Sequence, residues 1–204
     1  MTSINLTKGA SINLSKTATA GLSKITLGVG WDMAKPKASG GFMGKMFGSQ
    51  SSTPDSIDLD ASAILFDSAG ILVDTVFFRQ LKSKDGSVVH TGDNLTGDGD
   101  GDDEQIKINL SSLPAKVAHV VFTVSSFRGQ NFSQIENAFC RVVDDTTRKE
   151  MVKTNLSDQG EHTAIILARL SRESTGEFTF KSLVVKSHGR TALDLANEAS
   201  NLLN

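Results

Sequence analysis

Apolar and polar residues alternate along most of this chain with a period of two. In the segment 24–31, Ile25, Leu27, Val29 and Trp31 share one side, and Thr26, Gly28 and Gly30 share the other. That spacing predicts a half-buried β-strand. Alternation, or a short continuous apolar run, recurs at 57–66, 71–81, 105–110, 117–124, 138–144, 150–156, 163–171 and 178–187. Near the start, Ile4-Asn5-Leu6 and Ile12-Asn13-Leu14 repeat at a period of eight, and Lys8-Gly9-Ala10-Ser11 between them suits a hairpin turn. Short strands at regular intervals, separated by Gly- and Asp-containing turns, predict an all-β fold, an antiparallel β-sandwich. Two stretches depart from the strand pattern. A short helix is predicted near 131–137. A C-terminal helix is predicted over 191–203, where Leu195, Ala199 and Leu202 form one stripe and Thr191 is placed to cap it.

One further segment, 35–53, is rich in Gly, Ser and Lys and carries Phe42, Met43, Met46 and Phe47. It reads as a flexible surface loop within a single domain spanning 1–204. The sharper alternative is an exposed apolar tip, flanked by Lys37 and Lys45, that touches a membrane or a partner.

Composition changes this picture little. Apolar residues make up 38% and charged residues 22% of the 204, ordinary for a globular chain. A formal net charge of −2 argues against a dedicated nucleic-acid binder, which carries a basic surplus. Residues 1–16 lack the apolar core of a signal peptide, and no stretch of ~20 apolar residues is present to span a membrane. The lone Cys140 has no intramolecular disulfide partner and reads as a small buried hydrophobe. These features lead us to expect a cytoplasmic protein. The acceptor pattern Asn94-Leu95-Thr96 carries weight only in a secreted chain.

Candidate chemistry concentrates in one place. Residues 92–104 read Gly-Asp-Asn-Leu-Thr-Gly-Asp-Gly-Asp-Gly-Asp-Asp-Glu, six carboxylates with no Lys or Arg. At an effective dielectric of ~20, two such charges about 6 Å apart repel by roughly 3 kcal/mol. A hard dication relieves that repulsion, since calcium takes several oxygen ligands and glycine spacers let a chain wrap it. The run is not an EF-hand. Counted from Asp98, the sixth position is Asp103 rather than Gly and the twelfth is Asn109 rather than Glu, and a strand follows where a helix is needed. Nor is it a β-helix repeat, for it has no second copy. The plain alternative is a solvated acidic turn.

A second acidic cluster strengthens the cation reading. In a strand at 56–63, Ile57, Leu59, Ala61 and Ala63 occupy one face, and Ser56, Asp58, Asp60 and Ser62 the other. Asp58 and Asp60 would then lie roughly 7 Å apart, close enough to serve one cation or two adjacent ones. The rival reading is the solvated polar face common in antiparallel sheets.

Catalytic signatures are missing. His90, His119, His162 and His188 are scattered, and there is no paired-cysteine motif, which argues against zinc. Neither a nucleophile elbow nor a phosphate loop occurs. Arg128, in the polar stretch after 117–124, is suited to an anion or to a salt bridge with the acidic loop or Glu136.

Four motifs together resemble the TerD family: the acidic run 92–104, Asp-Leu-Asp-Ala-Ser at 58–62, Leu-Gly-Val-Gly-Trp-Asp at 27–32, and Ile-Glu-Asn-Ala-Phe-Cys-Arg-Val-Val-Asp at 135–144. The resemblance covers about 4–190, and the stretch 89–97 is similar to the TerZ- and TerX-like branch. It implies a β-sandwich that binds calcium, usually two ions, in bacterial tellurium-resistance and stress-response operons, which are also linked to phage inhibition and colicin resistance. It also implies protein partners encoded in the same operon, some of them membrane-associated, and no firmly attached enzymatic activity. Carried over residue by residue, the implied metal ligands are Asp58, Asp60, Asp93, Asn94, Asp98, Asp100, Asp102, Asp103 and Glu104, with the backbone carbonyl of Thr96 or Gly97. Two rival functions remain open at this point. One is metal-dependent phosphoester hydrolysis with His90 as base. The other is binding of a small anionic ligand, such as a cyclic nucleotide, around Arg128.

Overall fold

Alternating strands that bury one face need a second layer, and here two six-stranded sheets supply it to each other. The protein is described from a computed structural model, over residues 3–19, 21–33, 58–92, 101–156 and 160–203. In chain order the strands are β1 (Ile4–Asn5), β2 (Ser11–Asn13), β3 (Lys24–Met33), β4 (Leu59–Phe66), β5 (Leu72–Val76) and β6 (Val88–His90). They continue with β7 (Glu104–Asn109), β8 (His119–Ser126), β9 (Ile135–Asp144), β10 (Lys149–Asn155), β11 (Ala164–Arg172) and β12 (Phe178–Ser187). Helix α1 covers Leu14–Thr17 and α2 covers Ala192–Ser200. The first sheet runs β1-β10-β9-β3-β7-β6 and the second β2-β12-β11-β8-β4-β5. Pairing is antiparallel throughout, except that β1 runs parallel to β10. The expected antiparallel sandwich is therefore what forms.

The core lies between the sheets. Ile25, Leu27, Val29, Ile106, Ile108 and Val142 enter it from the first sheet, and Leu59, Ala63, Phe122, Leu170 and Phe180 from the second. A smaller cluster lies on the outer face of the second sheet, where Ile64, Phe66, Val121 and Ile166 pack against Ala192, Leu195 and Ala199 of α2. That helix begins as its sequence suggests, with Thr191 as N-cap in a reciprocal capping box with Asp194.

Several elements differ from expectation. The N-terminal repeats form no hairpin with each other. The turn is present, with Ala10 N–H donating to the Thr7 carbonyl. But β1 joins β10 on one sheet and β2 joins β12 on the other, so the turn bridges the two layers. The predicted helix near 131–137 shrinks to one 3-10 turn at Phe132–Gln134, because Ile135 already begins β9. The run 71–81 is a strand only as far as Val76. The three-residue β6 has no counterpart among the predicted strands. The segment 35–53 lies outside the described residues. Cys140 is buried as expected, and burial pushes its thiol up to about 12.

Candidate metal centre

Strand β4 is buried along its whole length, on both faces. Its inner face carries Leu59, Ala61, Ala63 and Leu65 into the core. Its outer face runs Asp58, Asp60, Ser62, Ile64, Phe66, and α2 covers the apolar half. The polar half is not a solvated face. Asp58, Asp60 and Ser62 are 6%, 3% and 1% exposed, and β8 sets the buried Ser125 and Thr123 opposite Asp60 and Ser62. Buried carboxylates need charge partners or hydrogen bonds to stay ionised.

The acidic run reaches the same place from the other sheet. β7 is the strand predicted after it, and Glu104, its first residue, points inward with Ile106 and Ile108. The Glu104 carboxylate crosses to the second sheet, where the Ala61 N–H donates to Oε2 at 2.6 Å. Strand β5 pairs with β4 only from Ala63 onward, so this bond continues the edge of the sheet past the end of β5. His90, inward-facing on β6, lies 3.2 Å from the same oxygen, and both side chains are fully buried. Gly92 N–H donates to His90 Nδ1, which assigns the ring proton to Nε2 and directs it at Glu104. Glu104 thus links the sheets one residue from Asp60.

Asp102 and Asp103 sit on the first sheet's side. Asp103 N–H donates to the Val29 carbonyl, and Trp31 N–H donates to Asp103 Oδ2, both at 2.8 Å. These bonds extend the β3–β7 pairing beyond β7. Asp103 also borders a polar recess of about 270 Å³ with Asp32, Asn137 and Lys153. Asp102 is gripped by Arg141 of β9, with Nε donating to Oδ1 at 2.7 Å and Nη2 to Oδ2 at 3.2 Å. Gln105 adds a third donor at 3.1 Å. The hydrogen bond to Asp102 is the main cause holding the Arg141 guanidinium above its ordinary value.

Two glycines make this close approach feasible. A Cβ on Gly28 would fall inside the Asp102 carboxylate, and one on Gly30 would lie 2.5 Å from the Gly101 carbonyl oxygen and 2.6 Å from the Phe139 ring. The end of the acidic run therefore lies in a bed that β3 keeps clear of side chains. That is a built contact, which distinguishes residues 101–104 from a solvated turn.

Of the expected ligands, Asp58, Asp60, Asp102, Asp103 and Glu104 are described, and Asp93, Asn94, Thr96, Gly97, Asp98 and Asp100 lie outside the described residues. Among the described residues, no three His, Cys, Asp or Glu side chains are grouped so as to hold a metal ion. What the described residues assemble is a set of buried oxygen donors, Asp58, Asp60 and Glu104, on facing edges of the two sheets. Oxygen-only donors suit calcium or magnesium rather than zinc. The spacing in sequence pointed to the carboxylates. It did not single out Arg141, it offered His90 only as the base of a hydrolytic rival, and Gly28 and Gly30 carried only the weak signal that glycine inside a strand marks a close approach. Among the described residues, Arg128 pairs with Asp58, Nε to Oδ2 at 3.5 Å. His119 is satisfied within its sheet, 3.0 Å from the Ser171 hydroxyl.

The sheet order, the glycine bed and the paired acidic segments can now be set beside known proteins. The family model described as the TerD domain matches residues 1–189. The chain belongs to the TerD family. It is 50% identical over 175 residues to the tellurium resistance protein TerZ of Serratia marcescens, covering 86% of each chain. To general stress protein 16U of Bacillus subtilis it is 40% identical, over 78% of this chain and 79% of the other. Tellurium resistance protein TerD of S. marcescens is 36% identical over 89% of both. A crystal structure of a TerD homologue from Streptomyces coelicolor shares the fold, with a TM-score of 0.69 at 20% identity, covering 88% of this chain and 98% of that one. Membership places this chain among tellurium-resistance and general stress proteins. No described helix is long and apolar enough to cross a membrane.

Proposed function

We propose that this TerD-family protein is a non-enzymatic calcium-binding module of the bacterial tellurium-resistance and general stress response, working in the cytoplasm as a scaffold or sensor for protein partners. The observation that carries the reading is the Glu104–Ala61 hydrogen bond, which brings the end of the acidic run to the buried Asp58–Asp60 segment. Asp58, Asp60, Asp103 and Glu104 supply carboxylate oxygens from the two sheets, and the acids at 93–100 complete the donor set for two ions. Calcium contributes charge neutralisation there, and it fixes the loop between the layers. Asp102 is held by Arg141, so its part is to anchor the loop as well as to donate. The rival functions have weaker support. Both ring nitrogens of His90 are engaged and the side chain is buried, which suits a structural donor better than a general base. Arg128 faces Asp58, which disfavours an anion site built around it.

Thermal unfolding of metal-stripped protein with calcium, magnesium or chelator tests the reading. Ligand at ~100 times its dissociation constant adds about 2.7 kcal/mol per site, or roughly 5–10 °C for a chain of this size. We expect a calcium-selective rise of that order, and we expect Asp60→Asn to remove most of it. Equal curves in calcium and chelator would overturn the proposal.

A further inference from the structure

Two arginine–aspartate pairs border the acidic segments, and they are built differently. Arg141 grips Asp102 with two nitrogens and extends a third to Glu150 at 3.3 Å, a fixed strut. Arg128 meets Asp58 with Nε 3.5 Å from Oδ2, with the arginine side chain 49% exposed and the carboxylate 8%. A long contact from a half-solvated side chain is readily exchanged. Arg190 lies against Gly129 in the same turn, 3.4 Å from where a Cβ would be.

Arg128 is also wired to the surface. It sits in a turn closed by Gly129 N–H to the Ser126 carbonyl and by Gln130 N–H to the Ser126 hydroxyl, both at 3.0 Å. The preceding residue, Phe127, is exposed and stands edge-on to Phe78 at 5.2 Å. The Arg79 guanidinium lies 5.3 and 5.4 Å from the two ring centroids. One short turn therefore joins a buried carboxylate to a surface cluster of Arg79, the half-buried Phe78 and the exposed Phe127.

We infer that Arg128 is a tethered counter-ion for Asp58 that a divalent cation displaces, so that ion binding loosens the 126–130 turn and remodels the Phe78–Arg79–Phe127 surface. This rests on the calcium reading above and adds to it a built-in competitor and an outward readout. If the clamp closes Asp58 in about nine molecules of ten, it weakens apparent ion affinity ~10-fold.

The test is calorimetric titration of calcium into metal-stripped wild type, Arg128→Gln and Arg128→Lys, with amide hydrogen exchange read at 127–130. Arg128→Gln should bind roughly tenfold tighter. Arg128→Lys should stay near wild type. In wild type, calcium should speed exchange at 127–130, a comparison that needs no variant to fold. Unchanged or weaker affinity in Arg128→Gln, or exchange indifferent to calcium in wild type that binds it, overturns this inference and leaves the calcium reading intact. Absence of binding in both wild type and Arg128→Gln overturns the two together. Binding by Arg128→Gln alone supports the clamp.

Discussion

The outer face of β4 has two ends that solve burial in opposite ways. At Ile64 and Phe66 the strand is covered by α2, and apolar contact suffices. At Asp58 and Asp60, four to eight residues earlier on the same face and thus roughly 13–26 Å away, the covering must satisfy charge. The first end is stable on its own terms. The second depends on Arg128, on the Ser125 and Thr123 side of β8, and in our reading on an ion. A single strand thus carries a structural half and a conditional half. Stability measurements made with and without calcium should separate them.

The largest expected effect is at the structural end. Leu195 of α2 is 1% exposed, and Leu195→Ala should cost ~2–5 kcal/mol through the cavity it leaves. Because it packs in the apolar cluster under α2, the loss should be equal in calcium and in chelator. A calcium-dependent loss would mean that the two ends are coupled through β4.

Next comes Glu104→Gln. It keeps shape but removes the charge that Ala61 N–H and His90 Nε2–H approach. Hydrogen bonds to a charged group contribute ~1.5–3 kcal/mol. We expect a loss of that size in chelator, seen as a fall of roughly 3–12 °C in Tm, together with a smaller calcium-induced rise. Asp60→Asn should diminish the calcium response far more than the chelator baseline. If both variants behave alike, Glu104 has no separate role in joining the sheets.

Gly28→Ala should be somewhat milder, ~1–3 kcal/mol, the usual cost of overpacking. Its added methyl meets Asp102, which Arg141 holds in place, so the loop end must lift from β3. Measured by thermal unfolding, its calcium-induced gain should fall below that of wild type. A full calcium gain in Gly28→Ala would show that the bed on β3 is not needed for the ion.

Sequence reasoning recovered these two halves unevenly, for physical reasons. Alternation at 24–31 and 57–66 exposes which residues share a face, so the strands and the core were legible. So were the two acidic clusters themselves, because charge repulsion is local and can be read from spacing; that Glu104 reaches the segment beside Asp60 was not. Alternation does not say which sheet a strand joins. Ile4-Asn5-Leu6 and Ile12-Asn13-Leu14 look identical, yet one edges each layer. The same blindness hid the burial of Asp58 and Asp60, since a polar face reads as solvated until α2 and β8 are placed around it. Arg141 is 39 residues from Asp102, and only the β9–β3–β7 order brings them together.

The smallest effect concerns the cap of α2, and it sharpens the contrast by pH. Asp194 Oδ2 accepts from Arg190 N–H and Thr191 N–H at 3.0 Å, and from the Thr191 hydroxyl at 3.1 Å. The bond from Arg190 N–H is the first cause holding its carboxyl below the ordinary carboxylate value. A depressed folded value means the stabilisation is fully present above 3.8 and is lost as pH falls through the lower folded value. Asp194 is exposed, so solvent screens the effect and it should be slight. Wild type should therefore lose its small advantage over Asp194→Asn only below about pH 4, and the difference should be the same with calcium as with chelator. Unfolding curves of the two proteins between pH 3 and 7 measure it. A difference that calcium changes would place the cap of α2 inside the conditional half and move the boundary between the two ends along β4 past Phe66.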